Sequence, residues 1–166
     1  YMRTIDNINR LNKSEFLSIF GNVFEKTESV ALKVFELKPF KDLDDIVSKM
    51  LKIYEEYDRD KILQILNSHP ELAIEKKLTN ESKLEQTSAN LNECSEEEFE
   101  EFKKLNLEYN TKFGFPFIIA VKGKNKNEIL VNFRERIQND LNKEFLEAKN
   151  QVKKIASFRL KDILSF

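Results

Sequence analysis

The chain has 166 residues, of which 28 are basic and 29 acidic, with three glycines, three prolines, one cysteine and one histidine. The near-cancelling charge excludes the strong positive field of a nucleic-acid backbone binder, and one cysteine with one histidine excludes both an internal disulfide and the usual zinc sites. Few turn-formers beside 40% hydrophobic and 34% charged residues suit long helices with short connections, which predicts an all-α fold in one domain over residues 1–166.

In chain order, residues 4–10 suit a short helix, and Ser14 caps "EFLSIFGNVF", where Phe16, Leu17, Phe20, Val23 and Phe24 recur at helical spacing. "SVALKVFELK" continues from Ser29 to Pro39. Asp42 then opens "DLDDIVSKMLKIYEEY", with Leu43, Ile46, Val47, Met50 and Tyr54 on one face, and Asp60 caps "KILQILNSH", which Pro70 ends. "SKLEQTSANL" and "SEEEFEEFKKLNLEYNTKF" read as two more helices, the second carrying a stripe of Phe99, Phe102, Leu105 and Tyr109. "GFPFIIAVKG" is an unbroken apolar run between glycines and is expected to be extended around 115–122. Two helices, "EILVNFRERIQN" and "DLNKEFLEAKNQVKKIASFRLKDIL", complete the chain.

No apolar run approaches the roughly 20 residues that a membrane span needs, the start lacks the apolar core of a signal peptide, and the end is not a Ser-Lys-Leu address. The expectation is a cytoplasmic protein with neither membrane nor nucleic acid as partner. Cys94 lies in acidic "NECSEEE", which raises a thiol pKa and makes it an incidental thiol.

Four features carry possible chemistry. His69 follows Ile62, Ile65 and Leu66 by seven, four and three residues and so falls on the apolar face of its helix, where the last-turn carbonyls favour the imidazolium. It is either a proton donor or a helix-end histidine bonded to those carbonyls. Ser82 and Glu85 have the spacing of a capping box, and with Gln86 they also put a hydroxyl, a carboxylate and an amide on one side of a helical turn, a grip for a polar heterocycle. The segment around Phe117 is either a core crossing or a stretch whose backbone reads an amide-like ligand. Arg159, seven after Val152 and four after Ile155, sits beside a buried stripe and needs an anion from protein or ligand. Arg134 and Arg136 are expected to be solvated charges.

Taken together, "HPELA", "LTNESKLEQTSANL", "LNLEYNTKFGFPFIIAVKG", "ILVNFRERIQND" and "EAKNQVKKIASFRL", with "FLSIFGNVFEKTESVA" and "KPF" upstream, resemble the 2-oxo-4-hydroxy-4-carboxy-5-ureidoimidazoline (OHCU) decarboxylase family of urate breakdown, almost end to end. The resemblance implies an all-α, usually dimeric enzyme that forms (S)-allantoin without metal or organic cofactor, with a functional link to hydroxyisourate hydrolase. It implies His69 as catalytic proton donor, with Glu85 beside it. The substrate pocket would be formed by Pro70, by Ser82, Lys83, Leu84, Glu85 and Gln86, by the backbone of Phe117, Ile118, Ile119, Ala120 and Val121, and by Arg159. Two departures stand beside that pocket: a short 71–81 stretch without a glycine-containing insertion, and Asn90 in "SANL" where "AGL" is common. The competing expectation is a helical binding or scaffold domain that keeps the fold without the activity, or a member with a drifted substrate.

Overall fold

A computed structural model describes residues 4–74 and 78–165. The described residues form helices joined by short connections and contain no strand, as the scarcity of glycine and proline predicts. The chain divides into two compact units, one made of residues up to 68 together with 153 onward, the other of residues 69–152.

The first unit holds α1 (Ile5–Asn9), α2 (Lys13–Phe20), α3 (Ser29–Phe35), α4 (Leu43–Glu55), α5 (Arg59–Asn67) and the C-terminal half of α9 (Leu141–Leu164). Helix α3 packs on both α2 and α4. Its core is aromatic at one end, where Phe16 lies 4.6 Å from Phe20 and Phe24 stacks on Tyr54 at 4.8 Å between centroids. The stripe expected on α4 is present, with Ile46, Met50 and Tyr54 fully buried.

Two starts differ from the expectation. Helix α2 is capped by Asn12, not Ser14, because Asn12 and Glu15 exchange hydrogen bonds in a capping box that leaves Ser14 inside the helix. Helix α5 is capped by Asp58, whose carboxylate accepts from the Lys61 N–H, so Asp60 lies in the first turn. Val23 and Phe24 are buried as expected, yet they belong to a turn after α2, which ends at Phe20.

The second unit holds α6 (Asn80–Ser88), α7 (Glu96–Phe113), α8 (Lys126–Arg136) and the N-terminal half of α9. Helices α7 and α8 pack together, each opened by a capping box, Ser95 with Glu98 and Asn125 with Glu128. Its core centres on Tyr109, ringed by Phe113, Phe115, Phe117 and Phe133 at 4.6 to 5.8 Å between centroids. Gly114, in the left-handed region at φ 79°, ends α7 and releases residues 116–121 as a non-helical run that is buried throughout. None of the described helices is long and apolar enough to cross a membrane.

Candidate active site

Helix α5 closes on Ser68, whose hydroxyl donates to the Gln64 carbonyl at 2.9 Å. Pro70 disfavours helical geometry at the residue before it, so His69 stands just past the helix and is the first residue of the second unit. It is nonetheless buried, at 8% exposure. The loop that follows is pinned by two carboxamides. Gln86 donates from Nε2 to the Glu71 carbonyl at 3.2 Å and accepts at Oε1 from the Ala73 N–H at 3.1 Å, while Asn106 of α7 donates from Nδ2 to the Leu72 carbonyl at 3.0 Å. These three bonds hold Ala73 at φ 54°, a left-handed conformation that costs an L-residue about 1–2 kcal/mol.

Helix α6 begins earlier than the sequence pattern indicates. Thr79 is its N-cap, and its hydroxyl accepts from the Ser82 N–H at 3.3 Å. Ser82 therefore occupies the third helical position, and the capping box expected of Ser82 and Glu85 does not form, since an N-cap residue is non-helical. Ser82 and Gln86 are buried, Glu85 is half-buried, Lys83 is exposed, and Leu84 is 70% exposed on the outer face. Lys83 and Gln86 also border a cavity of about 410 Å³ with Ala73, Leu78 and Leu91.

Asn90 ends the same helix. At φ 59° it is left-handed, its N–H donates to the Thr87 carbonyl, and the Leu91 N–H reaches back to Gln86, which is the paired pattern of a glycine-type helix stop. Asparagine tolerates that conformation better than other non-glycine residues, so the exchange of glycine for asparagine preserves the local backbone. The short 71–81 stretch includes residues 75–77, which lie outside the described residues.

The backbone of 117–121 is held from one side. Arg136 donates from Nη1 to the Ile118 carbonyl at 2.6 Å, and Gln151 accepts from the Ala120 N–H at 2.9 Å. The Ala120 carbonyl takes Lys124 Nζ at 3.2 Å. Among the described residues, nothing pairs with the backbone N–H or C=O of Phe117 or Ile119. Buried peptide groups take a partner from protein, water or ligand.

Arg136 is not the solvated charge expected. It is 7% exposed, its guanidinium carbon lies 4.4 Å from the Phe117 ring centroid, and its Nε donates to Glu144 Oε1 at 2.5 Å. Glu144 is fully buried and also accepts from the Tyr109 hydroxyl at 2.7 Å and from Asn139 Nδ2 at 3.0 Å. Burial pushes the Tyr109 pKa up against the lowering influence of Arg136, so the hydroxyl remains a neutral donor. A signal for Arg136 was present: it falls seven after Ile129 and three after Phe133, the same kind of spacing that singled out Arg159. Arg134 is half-exposed and paired with Glu101 at 2.6 Å, as a surface charge should be.

Arg159 belongs to the first unit, where it donates from Nη1 to the Asn22 carbonyl at 2.8 Å and from Nη2 to the buried Glu25 at 3.0 Å. Cys94 has a raised pKa, as expected, but burial is the leading cause and the acidic neighbour Glu98 a lesser one. Among the described residues no group of three or more His, Cys, Asp or Glu side chains is placed to hold a metal ion.

Comparison with known proteins decides the family. The OHCU decarboxylase family model matches residues 9–161. The chain belongs to the OHCU decarboxylase family. Among OHCU decarboxylase relatives, the Haloferax volcanii 2-oxo-4-hydroxy-4-carboxy-5-ureidoimidazoline decarboxylase is 35% identical over 98% of this chain and 96% of its own length. A uric acid degradation bifunctional protein of Bacillus sp. TB-90 is 38% identical over 98% of this chain, and the chain spans only 32% of that protein's length. A crystal structure of an (S)-allantoin synthase is 25% identical with a TM-score of 0.78, covering 98% of this chain and 54% of that one. A second, of an OHCU decarboxylase in the presence of (S)-allantoin, is 22% identical with a TM-score of 0.73 over 93% of this chain and all of that one, and shares the all-α fold.

Proposed function

We propose that this chain decarboxylates 2-oxo-4-hydroxy-4-carboxy-5-ureidoimidazoline to (S)-allantoin, with no metal or organic cofactor. The observation that carries the reading, beyond family membership, is that His69 is buried just past α5 and the loop that follows it is tied to Gln86 of α6 and Asn106 of α7, which gives the candidate proton donor and the candidate amide a common support.

The named substrate carries its carboxylate on a ring carbon that also bears a hydroxyl, next to an imine-type carbon holding the ureido group. As the bond to carbon dioxide breaks, its electron pair forms a double bond to that neighbour and the imine pair moves onto the ring nitrogen, which takes up a proton from solvent. The neighbour then gains a proton as the hydroxyl loses one, becoming the stereocentre of allantoin. The protein has to orient the carboxylate, stabilise charge moving into the ring and deliver a proton to one face. His69 is assigned the proton, and Glu85 with Arg159 the orientation of ring substituents. Ser82, Gln86 and Pro70 line the pocket with Lys83 at its edge, Leu84 contributes only its main chain because its side chain is exposed, and the backbone of Phe117 to Val121 reads the ureido and ring amides. Gln86 already spends one N–H and one lone pair on the 71–73 loop, which leaves the other of each for substrate.

A single domain over 1–166 is supported by one family model running through both units. A homodimer in the cytoplasm, functionally linked to hydroxyisourate hydrolase, completes the proposal. The test generates the substrate freshly from urate with urate oxidase and the hydrolase, then follows circular dichroism as allantoin forms. Faster appearance of the (S) enantiomer is expected, reduced by about a hundredfold or more in His69→Asn with unchanged melting. Slow racemic product equal to the blank, or wild-type turnover in the folded variant, defeats the assignment.

A further inference from the structure

Residues 116–121 lack the ladder of a sheet and the internal bonding of a helix, so some other structure has to fix which way their peptide groups point. In an extended run, successive residues direct their N–H and C=O to opposite sides. The side chosen by residue 118 is therefore also that of residue 120, and the other side falls to 117 and 119.

The bonds to this segment follow that alternation. Arg136 takes the Ile118 carbonyl, and Gln151 takes the Ala120 N–H. Each holder is itself oriented. Glu144 fixes Arg136 through Nε and is in turn held by Tyr109 and Asn139, and Gln151 donates from Nε2 to Glu147 at 2.8 Å. Phe117, stacked on Phe133 with centroids 3.9 Å apart and 8° between planes, sits beside the guanidinium and stops the segment from rolling. By that alternation the N–H and C=O of Ile119 fall on the opposite side, a donor and an acceptor side by side, and nothing among the described residues pairs with them. A ureido group, which offers an adjacent N–H and C=O of its own, complements that pair.

We infer that Arg136, oriented by Glu144, and Gln151 are positioning residues for the reaction: they clamp Ile118 and Ala120 from behind so that the peptide groups of Ile119 face the ureido end of the substrate. The inference rests on the proposed function. Neither side chain touches substrate. Their effect is on where the ureido group is held, and so on which ring face meets the proton donor.

Removing Arg136 alone strands a buried carboxylate and risks unfolding, so the test replaces both charges together, Arg136→Met with Glu144→Leu, a change that buried pairs often tolerate. A second variant, Gln151→Leu, removes one neutral hydrogen bond. Folding is verified by far-ultraviolet circular dichroism and thermal melting. Each folded variant is expected to raise KM about tenfold with a smaller fall in kcat, and to release allantoin of lower (S) excess per catalysed turnover. The swap Glu147→Gln with Gln151→Glu keeps both the acceptor for the Ala120 N–H and the side-chain bond, and is expected to restore KM and (S) excess. Wild-type KM and wild-type (S) excess in folded Gln151→Leu overturn the inference, as does a tenfold loss that the swap fails to restore. An inactive wild-type protein defeats the underlying function instead, and the assay of the unaltered chain distinguishes the two failures.

Discussion

Each of the two units contains an irregular buried stretch braced by an arginine–glutamate pair. In the first, the turn after α2 is held by Arg159, which bonds the Asn22 carbonyl and the carboxylate of Glu25. In the second, the run after α7 is held by Arg136, which bonds the Ile118 carbonyl and the carboxylate of Glu144. Both glutamates are fully buried. A guanidinium has donors in a fixed fork, so it can satisfy a backbone carbonyl and a carboxylate at once, which a lysine does less well. The units differ in what the brace serves. Arg159 is itself proposed to orient the substrate's ring substituents, while Arg136 stands behind a segment proposed for the ureido group. A buried ion pair thus marks a place where the helices cannot supply backbone partners, whatever further use that place has.

The comparison breaks most visibly when one charge of a pair is removed. Glu25→Leu and Glu144→Leu are each expected to lose about 3–5 kcal/mol of unfolding free energy in urea titrations, because a buried guanidinium loses its partner. Pairing each with its arginine replaced by methionine is expected to recover most of that loss. If Arg159 holds substrate and Arg136 does not, the recovered first-unit double variant stays nearly inactive while the second-unit one keeps turnover with raised KM.

The next effect is smaller and separates architecture from chemistry within α6. Thr79→Ala is expected to cost about 1 kcal/mol in melting experiments, as loss of an N-cap does, with little change in kcat. Ser82→Ala is expected to do the reverse, with turnover falling and stability little changed. A Ser82→Ala variant that is destabilised and fully active would return Ser82 to a purely structural role.

The smallest effect is acid sensitivity, and each unit offers a surface carboxylate to test it. The backbone N–H of Lys41, with Lys49, holds Asp45 below the usual carboxylate range, and the backbone N–H of Ser95, with Lys126, does the same for Glu98. A depressed folded pKa contributes stability above the unfolded value, near 4, and that contribution is lost as pH falls through the folded value. Asp45→Asn and Glu98→Gln are therefore expected to be less stable than the parent at neutral pH and to converge with it on acidification. A gap that persists to the lowest pH in acid titrations of stability would show that these carboxylates act through something other than their charge.

Much of this molecule was legible because helical periodicity is a long-range average. The stripes of α4 and α7 survive small errors at their ends. Helix starts were read less well for a local reason: "NKSE", "DRD" and "TNES" each offer several capping side chains within a few residues, and only backbone geometry selects among Asn12 and Ser14, Asp58 and Asp60, Thr79 and Ser82. The site was legible as a set of residue types in order, but not as a set of partners. Nothing local to Arg136 indicates that its carbonyl partner lies 18 residues upstream, and nothing local to Gln86 indicates that both ends of its amide are engaged by the loop that follows His69.

Asn106 and Tyr109 lie three residues apart on one face of α7. Through Asn106 that helix is tied to the loop after the histidine, and through Tyr109 to the carboxylate that holds Arg136 behind residues 116–121. One rigid rod is thus the common datum for two parts of the proposed pocket. A shift of α7 along its axis carries both with it, so their spacing survives disturbances that would blur a site whose halves were referenced to separate supports.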